Sequence, residues 1–185
     1  SYSPVQDFGS KPKVGDIKYK DINGDNIIDS NDQIMISEYG RTTRLQYGFG
    51  INLFWKKIDF GAFFNGSAHR DIMLSGIHPF GDNANNMFQF IADDYWSESN
   101  PNPNAKYPRL GLLGIETKNN TQASTFWLRN GNFLRFKTLE LGYTFKYGRV
   151  YLNCDNVSVF SSFKYWDPEL SWNSYPLQRT FNIGS

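Results

Sequence analysis

The sequence has little cysteine, little net charge and no long apolar run. Its single cysteine, Cys154, excludes an internal disulfide, and the residues around it are not those of a catalytic nucleophile's environment. The formal net charge is +1, which gives no electrostatic basis for binding nucleic acid. No run approaches the roughly 18–20 apolar residues that a membrane-spanning helix requires. This shortage does not exclude a transmembrane barrel, because each barrel strand is apolar on one face only.

Catalytic motifs are missing as well. The sequence has no His-x-x-x-His pair, no nucleophile elbow and no glycine-rich phosphate loop. The candidates that remain are Asp93, Asp94, Glu98, His69 and His78. Asp93 and Asp94 are adjacent, which is more typical of a solvated or capping pair at a helix end. We therefore expect that the protein is not an enzyme.

Aromatic residues are abundant, with 16 Phe, 11 Tyr and 5 Trp, as is typical of β-structure and of the aromatic girdles of membrane barrels. The clearest pattern lies in residues 45–68, where apolar side chains occupy alternate positions. In the first run these are Leu45, Tyr47, Phe49, Ile51, Leu53 and Trp55, and after Lys56-Lys57 they are Ile58, Phe60, Ala62 and Phe64. The positions between them are mostly polar or glycine, with Phe54 and Phe63 as exceptions. This alternation predicts two strands in a tight antiparallel hairpin.

Two folds account for this hairpin. In a soluble β-sandwich, the apolar face turns into a core. In a transmembrane barrel, the large apolar side chains face lipid and the polar residues face a wet lumen. Each predicted strand is about 11 residues long, which matches the roughly 9–11 residues of a tilted membrane strand, whereas soluble strands average about 5–6. Strand length alone leaves both alternatives open.

A second hairpin is predicted within residues 123–160. In its first strand, Arg135 and Lys137 occupy the alternate positions that continue as Leu139, Leu141 and Tyr143, so they would share the apolar face. We therefore expect that end of the strand to lie outside any apolar zone. The parity changes along the return strand, which predicts a β-bulge near Cys154 and Asp155.

The connections alternate between very short and long. The predicted segments are a loop at 1–43, a hairpin at 44–70, a long loop at 71–122 with a short helix at 87–96, a hairpin at 123–160, a loop at 161–178 and the start of a strand at 179–185. Because antiparallel strands place consecutive connections at opposite ends, the short turns share one end and the long loops the other. Outer-membrane barrels have this asymmetry. The pattern favours an all-β, antiparallel up-and-down transmembrane barrel over a sandwich.

Residues 21–32 have the spacing of a calcium-binding loop. The oxygen ligands would be Asp21, Asn23, Asp25, the carbonyl of Ile27, Asp29 and Asp32. Asn26 stands where such loops usually have Gly, which is tolerable because Asn enters the left-handed region more readily than most residues. Asp32 stands where paired EF-hands have Glu, as in dockerin-type loops. The alternative is an Asx-rich turn held together by its own side chains.

Six short segments form a specific set by their order and spacing across almost the whole chain. They are residues 15–25 (GDIKYKDINGD), Tyr107-Pro108-Arg109-Leu110, residues 124–131 (STFWLRNG), residues 133–143 (FLRFKTLELGY), Trp166-Asp167-Pro168-Glu169 and Tyr175-Pro176-Leu177. Together they resemble the C-terminal part of the SusC/RagA family of TonB-dependent outer-membrane transporters of Bacteroidetes.

The resemblance implies a 22-stranded barrel in the bacterial outer membrane, in contact with the lipid bilayer. It also implies an N-terminal plug, energy from the TonB complex, and a SusD-like lipoprotein lid that captures glycans or peptides. The sequence contains no plug and both of its ends look cut. We therefore expect the last strands of the barrel and their long extracellular loops.

The loop tryptophans are candidates for contact with a solute or with the lid. These are Trp96, Trp127, Trp166 and Trp172, and the alternative for each is packing within its own loop. A bound Ca²⁺ at residues 21–32 would stiffen an exposed loop near that lid. A rival function is a soluble calcium-dependent carbohydrate-binding β-module, which would have two stacked sheets and stay monomeric without detergent.

Overall fold

The computed structural model describes residues 4–39, 42–75, 80, 86–111 and 116–185, and strands dominate its secondary structure. In chain order the elements are β1 (Val5–Gln6), β2 (Ile27–Ile28), a 3₁₀ turn (Ser30–Asp32), β3 (Leu45–Trp55), β4 (Ile58–Ala68), β5 (Asp71–Met73), α1 (Gln89–Ala92), β6 (Leu128–Asn130), β7 (Phe133–Phe145), β8 (Gly148–Ser161) and β9 (Thr180–Gly184). Within the described residues, no helix is long and apolar enough to cross a membrane.

The chain divides into two compact units. The loop unit comprises Ser1–Glu38 and Met73–Leu128, and the sheet unit comprises Tyr39–Ile72 and Arg129–Ser185. Each unit therefore draws on two separate stretches of sequence.

The sheet unit contains five antiparallel strands in the order β3, β4, β7, β8, β9. Two-residue turns join β3 to β4, at Lys56-Lys57, and β7 to β8, at Lys146-Tyr147. β3 and β4 have 11 residues each, while β7 has 13 and β8 has 14. These are the two hairpins that the alternation predicts, with the second beginning at Phe133.

One face of the sheet, the apolar face, consists of registered rows of apolar side chains. One row contains Ile51, Ala62, Leu139, Cys154 and Phe181, and the next contains Leu53, Phe60, Leu141, Leu152 and Ile183. Tyr47, Phe49, Ile51 and Leu141 are 38%, 49%, 48% and 50% exposed. A second packed sheet would bury these side chains, so the sandwich alternative is wrong for this face.

The opposite face, the polar face, presents hydrogen-bonding and charged groups. Its side chains include Gln46, Asn52, Asp59, Asn65, Thr138, Glu140 and Arg149. Polar and apolar side chains thus alternate along each strand, as they do in a membrane barrel with a wet interior.

A β-bulge interrupts β7 and β8. The register shifts between Phe136 and Thr138, which leaves Lys137 as an extra residue in the ladder with β4 and places two residues, Asn156 and Val157, opposite it in the ladder with β8. Opposite this shift, Asn156 in β8 has a positive φ of 53°. The irregularity in β8 begins directly after Asp155, so the predicted bulge near Cys154 and Asp155 is confirmed.

The bulge overturns the expected placement of Arg135. Because the parity switches at the bulge, Phe136 lies on the apolar face, where it stacks on Phe64 at 4.5 Å between ring centroids. Phe64 stacks in turn on Phe49 at 5.1 Å. Arg135 therefore lies on the polar face, opposite Asn65, and the prediction that it shares the apolar parity is wrong.

The loop unit is mostly irregular, with the parallel pair β1 and β2 and one turn of helix in α1. The predicted helix at residues 87–96 is wrong beyond that turn. The N–H of Trp96 donates to the carbonyl of Tyr107 at 3.0 Å, and the N–H of Tyr107 donates to the carbonyl of Asp94 at 3.1 Å. The backbone after α1 pairs with residue 107 instead of continuing the helix.

Candidate functional site

A cluster of charged side chains lies on the polar face near the two-residue turns. Arg149 donates from Nη2 to Glu140 Oε1 at 2.5 Å and from Nε to Asp59 Oδ1 at 3.1 Å. Gly142 leaves the space for this contact, since a Cβ there would lie 2.5 Å from Asp59 Oδ1. With two carboxylates around one guanidinium, this part of the face stays charged and hydrophilic.

Phe63, an exception to the alternation, is accommodated on the polar face by glycines. A Cβ on Gly48 would lie 3.3 Å from Phe63 Cζ, and one on Gly50 would lie 3.4 Å from Phe63 Cδ2. The ring is 44% exposed. It therefore offers a flat apolar surface on a face that is otherwise polar.

Residues 21–32 form a tight loop held by its own carboxylates. Asp21 accepts from the N–H of Gly24 through Oδ1 at 2.6 Å and from the N–H of Asn26 through Oδ2 at 2.9 Å. Asp32 Oδ1 accepts from the N–H of Ile22 at 2.6 Å. Asn26 has a φ of 69°, so it adopts the left-handed conformation expected of it.

The same loop presents oxygen ligands of the kind that calcium prefers. Backbone N–H donors from Ile22 and then Asp29 lower the pKa of the Asp32 carboxyl, which is therefore ionised at neutral pH. In the structure the carboxylates turn toward the loop's own N–H groups, and no group of three or more Asp, Glu, His or Cys among the described residues is arranged to hold a metal ion. The donor chemistry fits calcium. Calcium binding stays a prediction.

The four tryptophans differ widely in accessibility. Trp127 is fully buried and donates from Nε1 to the carbonyl of Asn120 at 2.7 Å, so its predicted contact with a solute or lid is wrong. Trp96 is half-buried in the loop unit. Trp166 is half-buried, with its ring edge-to-face on Phe163 at 4.6 Å. Trp172 is 38% exposed, so part of its ring is accessible to solvent.

Two buried asparagines organise the loop unit. Asn119 accepts from Gln6 Nε2 at 2.8 Å and donates from Nδ2 to the carbonyl of Ile17 at 2.9 Å. Asn120 Oδ1 accepts from the N–H of Ile17 at 2.9 Å, and its Nδ2 donates to Asp16 Oδ1 at 2.8 Å. Both asparagines are fully buried. Their side-chain amides hydrogen-bond to backbone groups that have no partner in a helix or a strand.

Sequence reasoning missed this network. Arg109 Nε lies 2.7 Å from Asp16 Oδ1, and both side chains are buried. The hydroxyl of Tyr19 donates to the carbonyl of Asn119 at 2.7 Å, and burial raises the pKa of that hydroxyl, which stays protonated. The available signal was the resemblance, because Asp16 and Arg109 stand in two of its six segments.

Three of the residues considered for catalysis, Asp93, Asp94 and His69, make ordinary structural contacts. Asp93 accepts from Gln89 Nε2 at 2.6 Å, and Asp94 lies 3.7 Å from Lys106 Nζ. The imidazole of His69 stacks on Tyr39 at 4.7 Å. His78 lies outside the described residues.

The chain is similar to known proteins, although no protein-family model matches it. It is 28% identical over 198 residues to TonB-dependent receptor P26 of Formosa agariphila, across 92% of this chain and 19% of that protein. It is 27% identical over 210 residues to TonB-dependent receptor SusC of Bacteroides thetaiotaomicron, across 99% of this chain and 18% of that protein. The chain is a relative of the TonB-dependent receptors. It spans about a fifth of the length of these curated relatives.

Solved structures of the RagAB peptide importer share the fold of this TonB-dependent receptor relative. The 'closed-closed' state gives a TM-score of 0.56 and the 'open-open' state 0.55, each at 24% identity over 77% of this chain and 17% of the solved chain. The predicted resemblance, the barrel fold class and the outer-membrane location are confirmed. The relatives are named as receptors, which agrees with the expectation that the protein is not an enzyme.

Proposed function

We propose that this chain forms part of an outer-membrane transporter that imports glycans or peptides with energy from the TonB complex. The observation that supports the proposal is the two-faced sheet. Its exposed apolar face suits acyl chains, and its polar face suits a wet passage. The relatives support the same function, since both curated relatives are named TonB-dependent receptors and the solved neighbours belong to a peptide importer.

As part of the wall of a passage, the sheet would support transport without catalysing a reaction. Neighbouring strands hydrogen-bond to each other, so that no unpaired backbone N–H or C=O group is exposed to the hydrocarbon of the bilayer. On the polar face, groups such as Asn52, Glu140 and Arg149 hydrogen-bond to water and to passing solute. A SusD-like lipoprotein would capture the solute above the long loops, and the TonB complex would act through other parts of the transporter.

Deletion of the gene tests this proposal. We expect the deletion strain to lose growth on one class of nutrient, assayed separately on purified polysaccharides and on peptide digests, and to regain it when the intact gene is restored. A tagged copy extracted from outer membranes in detergent is expected to co-purify with a lipoprotein. Unchanged growth on every source, together with absence of the protein from the outer-membrane fraction, would contradict the proposal.

The rival function, a soluble calcium-dependent carbohydrate-binding module, conflicts with the exposed apolar face. Soluble monomers rarely leave an apolar surface of that extent open to water. The module would run as a detergent-free monomer in size-exclusion chromatography. We expect instead that the isolated chain aggregates or needs detergent, because its sheet also has open edges.

We also propose that residues 21–32 bind Ca²⁺. Isothermal titration of calcium into chelator-treated protein is expected to give a binding heat that Asp21→Ala abolishes, because Asp21 would supply the first ligand. Asp7→Ala removes an exposed carboxylate outside the loop and is the matched control. Equal heats for wild type and Asp21→Ala would leave the Asx-rich turn as the correct description.

A further inference from the structure

An ion cluster around a buried arginine on the polar face joins β7 to the loop that follows β8. Arg135 is 3% exposed. Its Nη2 donates to both carboxylate oxygens of Asp167, at 2.5 and 2.6 Å, and its Nε donates to Glu169 Oε2 at 2.7 Å. A guanidinium that binds one carboxylate with both oxygens and a second carboxylate as well has a fixed orientation. The cluster therefore fixes the loop relative to the strand.

Further contacts hold the same short segment, residues 166–169. Arg70 Nη1 donates to the carbonyl of Pro168, and the Pro168 side chain is fully buried. Asp167 Oδ1 also accepts from the N–H of Glu169 at 3.0 Å. The Trp166 ring packs against Phe163, as described above. The segment is thus held through side chains and backbone together.

The segment lies over the polar face at the end of the sheet remote from the two-residue turns. Glu169 lines an open concavity of about 590 Å³ together with Gln46, Asn65 and Phe63 of β3 and β4. Asn65 Oδ1 is buried there without a hydrogen-bond partner among the described residues. Because Glu169 sits beside side chains of the polar face, the loop folds inward over that face.

We propose that residues 166–169 are a strap, fixed over the polar face by Arg135, which narrows the route of solutes at the loop end of the sheet. The narrowing of a route rests on the proposed function, in which the polar face is the wall of the passage. The clamping itself does not, because it follows from the contacts of Arg135, Arg70 and Pro168 within the sheet unit.

The energetic basis is the burial of the Arg135 guanidinium, whose partners Asp167 and Glu169 are 17% and 32% exposed. Breaking a buried ion pair by removing one partner leaves charge without compensation in a place that water reaches poorly. Without Arg135, the carboxylates of Asp167 and Glu169 would move out to solvent and take the strap with them. An exposed ion pair would give no such effect, because its partners are already solvated.

Cysteine labelling of the purified, detergent-solubilised protein tests the strap. The parent variant has Cys154→Ser, any other cysteine of the protein replaced, and Gln46→Cys in the concavity that Glu169 lines. The site is labelled with a small maleimide and with a maleimide on a long polyethylene glycol chain, each rate being normalised to the unfolded protein. We expect the long-chain reagent to react more slowly than the small one in the parent.

Arg135→Gln is expected to raise the labelling rate of the long-chain reagent about tenfold. The reason is that loss of the ion pairs of a buried arginine shifts the equilibrium between the closed and the open strap toward the open form by at least about a factor of ten. Arg149→Gln is the matched control, since Arg149 also binds two carboxylates on the polar face but all three groups are on strands. We expect it to change the rate by less than about twofold, as befits a more exposed cluster.

The outcomes separate clearly. Equal rates for the two reagents in the parent, or an unchanged long-chain rate in Arg135→Gln, would overturn the strap. If circular dichroism shows that Arg135→Gln is unfolded, the double variant Asp167→Asn with Glu169→Gln decides, because its neutral amides end the ion pairs of the strap while Arg135 can still donate hydrogen bonds to them. We expect the same direction of change, a faster long-chain rate. Labelling needs no transport, so a failure of the proposed function appears in the deletion strain and not in this experiment.

Discussion

Trp127→Ala is expected to destabilise the loop unit by about 3–5 kcal/mol, the usual cost of truncating a fully buried tryptophan. The Trp127 ring contacts Phe80, Phe126 and Tyr107 at centroid distances of 5.7, 4.8 and 6.2 Å. Truncation also leaves the carbonyl of Asn120 without its indole donor, which adds a desolvation cost for a buried acceptor.

Hydrogen exchange measured by mass spectrometry on residues 116–128 checks this prediction, since exchange there reports local opening of the unit. Trp172→Ala is the matched control, because it removes the same side chain from an exposed position in the sheet unit. We expect the control to leave exchange in residues 116–128 unchanged. Equal protection in Trp127→Ala and wild type would show that the ring does not organise the loop unit.

Leu141→Arg is expected to lower the stability of the membrane-inserted protein by about 1–3 kcal/mol, because a lipid-facing arginine costs about 2–4 kcal/mol at the bilayer midplane and less toward the interfaces. Leu141 lies in the middle of a registered row, between Phe60 and Leu152, and is 50% exposed on the apolar face. If that face contacts acyl chains, the guanidinium has no nearby water or counter-charge.

Thr138→Arg is the control for this charge, because Thr138 lies on the same strand, β7, and on the polar face, opposite the carboxylate of Asp155. Denaturant titration of the protein refolded into lipid vesicles gives both free energies of unfolding. We expect a change of less than about 1 kcal/mol for the control, as is usual for a surface substitution. Equal losses for the two variants would mean that the faces of β7 do not differ in their surroundings.

The strands were predictable because their signal is local. Alternation of side chains along residues 45–68 depends only on the pleat of each strand, and the two-residue turn follows from where the alternation restarts. The bulge at Lys137 was not predicted in β7. One extra residue in a strand moves every residue before it to the opposite face. This is why the sequence pattern placed Arg135 on the wrong face.

The buried contacts of the loop unit could not be derived from local pattern. Gln6 and Asn119, which hydrogen-bond to each other, are 113 residues apart. Asparagine in a loop usually indicates a turn, and nothing in its neighbourhood distinguishes a solvated amide from a buried one. The same limit applied to Trp127, because its buried partners Phe80 and Tyr107 are distant in the sequence.

The calcium-loop spacing led to one conformational prediction that is confirmed and to a metal site that stays a prediction. It correctly predicted a tight loop in which Asn26 takes a left-handed conformation. Spacing alone does not distinguish carboxylates that bind a metal from carboxylates that accept from backbone N–H groups, because both require the same acidic residues at the same places.

The central claim is that the apolar face of the sheet contacts lipid and the polar face contacts water. Spin labels placed one at a time along residues 138–145 of the protein in lipid vesicles test it most directly, with collisions recorded against oxygen and against a water-soluble nickel chelate. Labels at Leu139, Leu141 and Tyr143 should collide with oxygen, and labels at Thr138, Glu140 and Thr144 with nickel. Labels at Leu139, Leu141 and Tyr143 that neither reagent reaches would place them in a protein core and contradict the account.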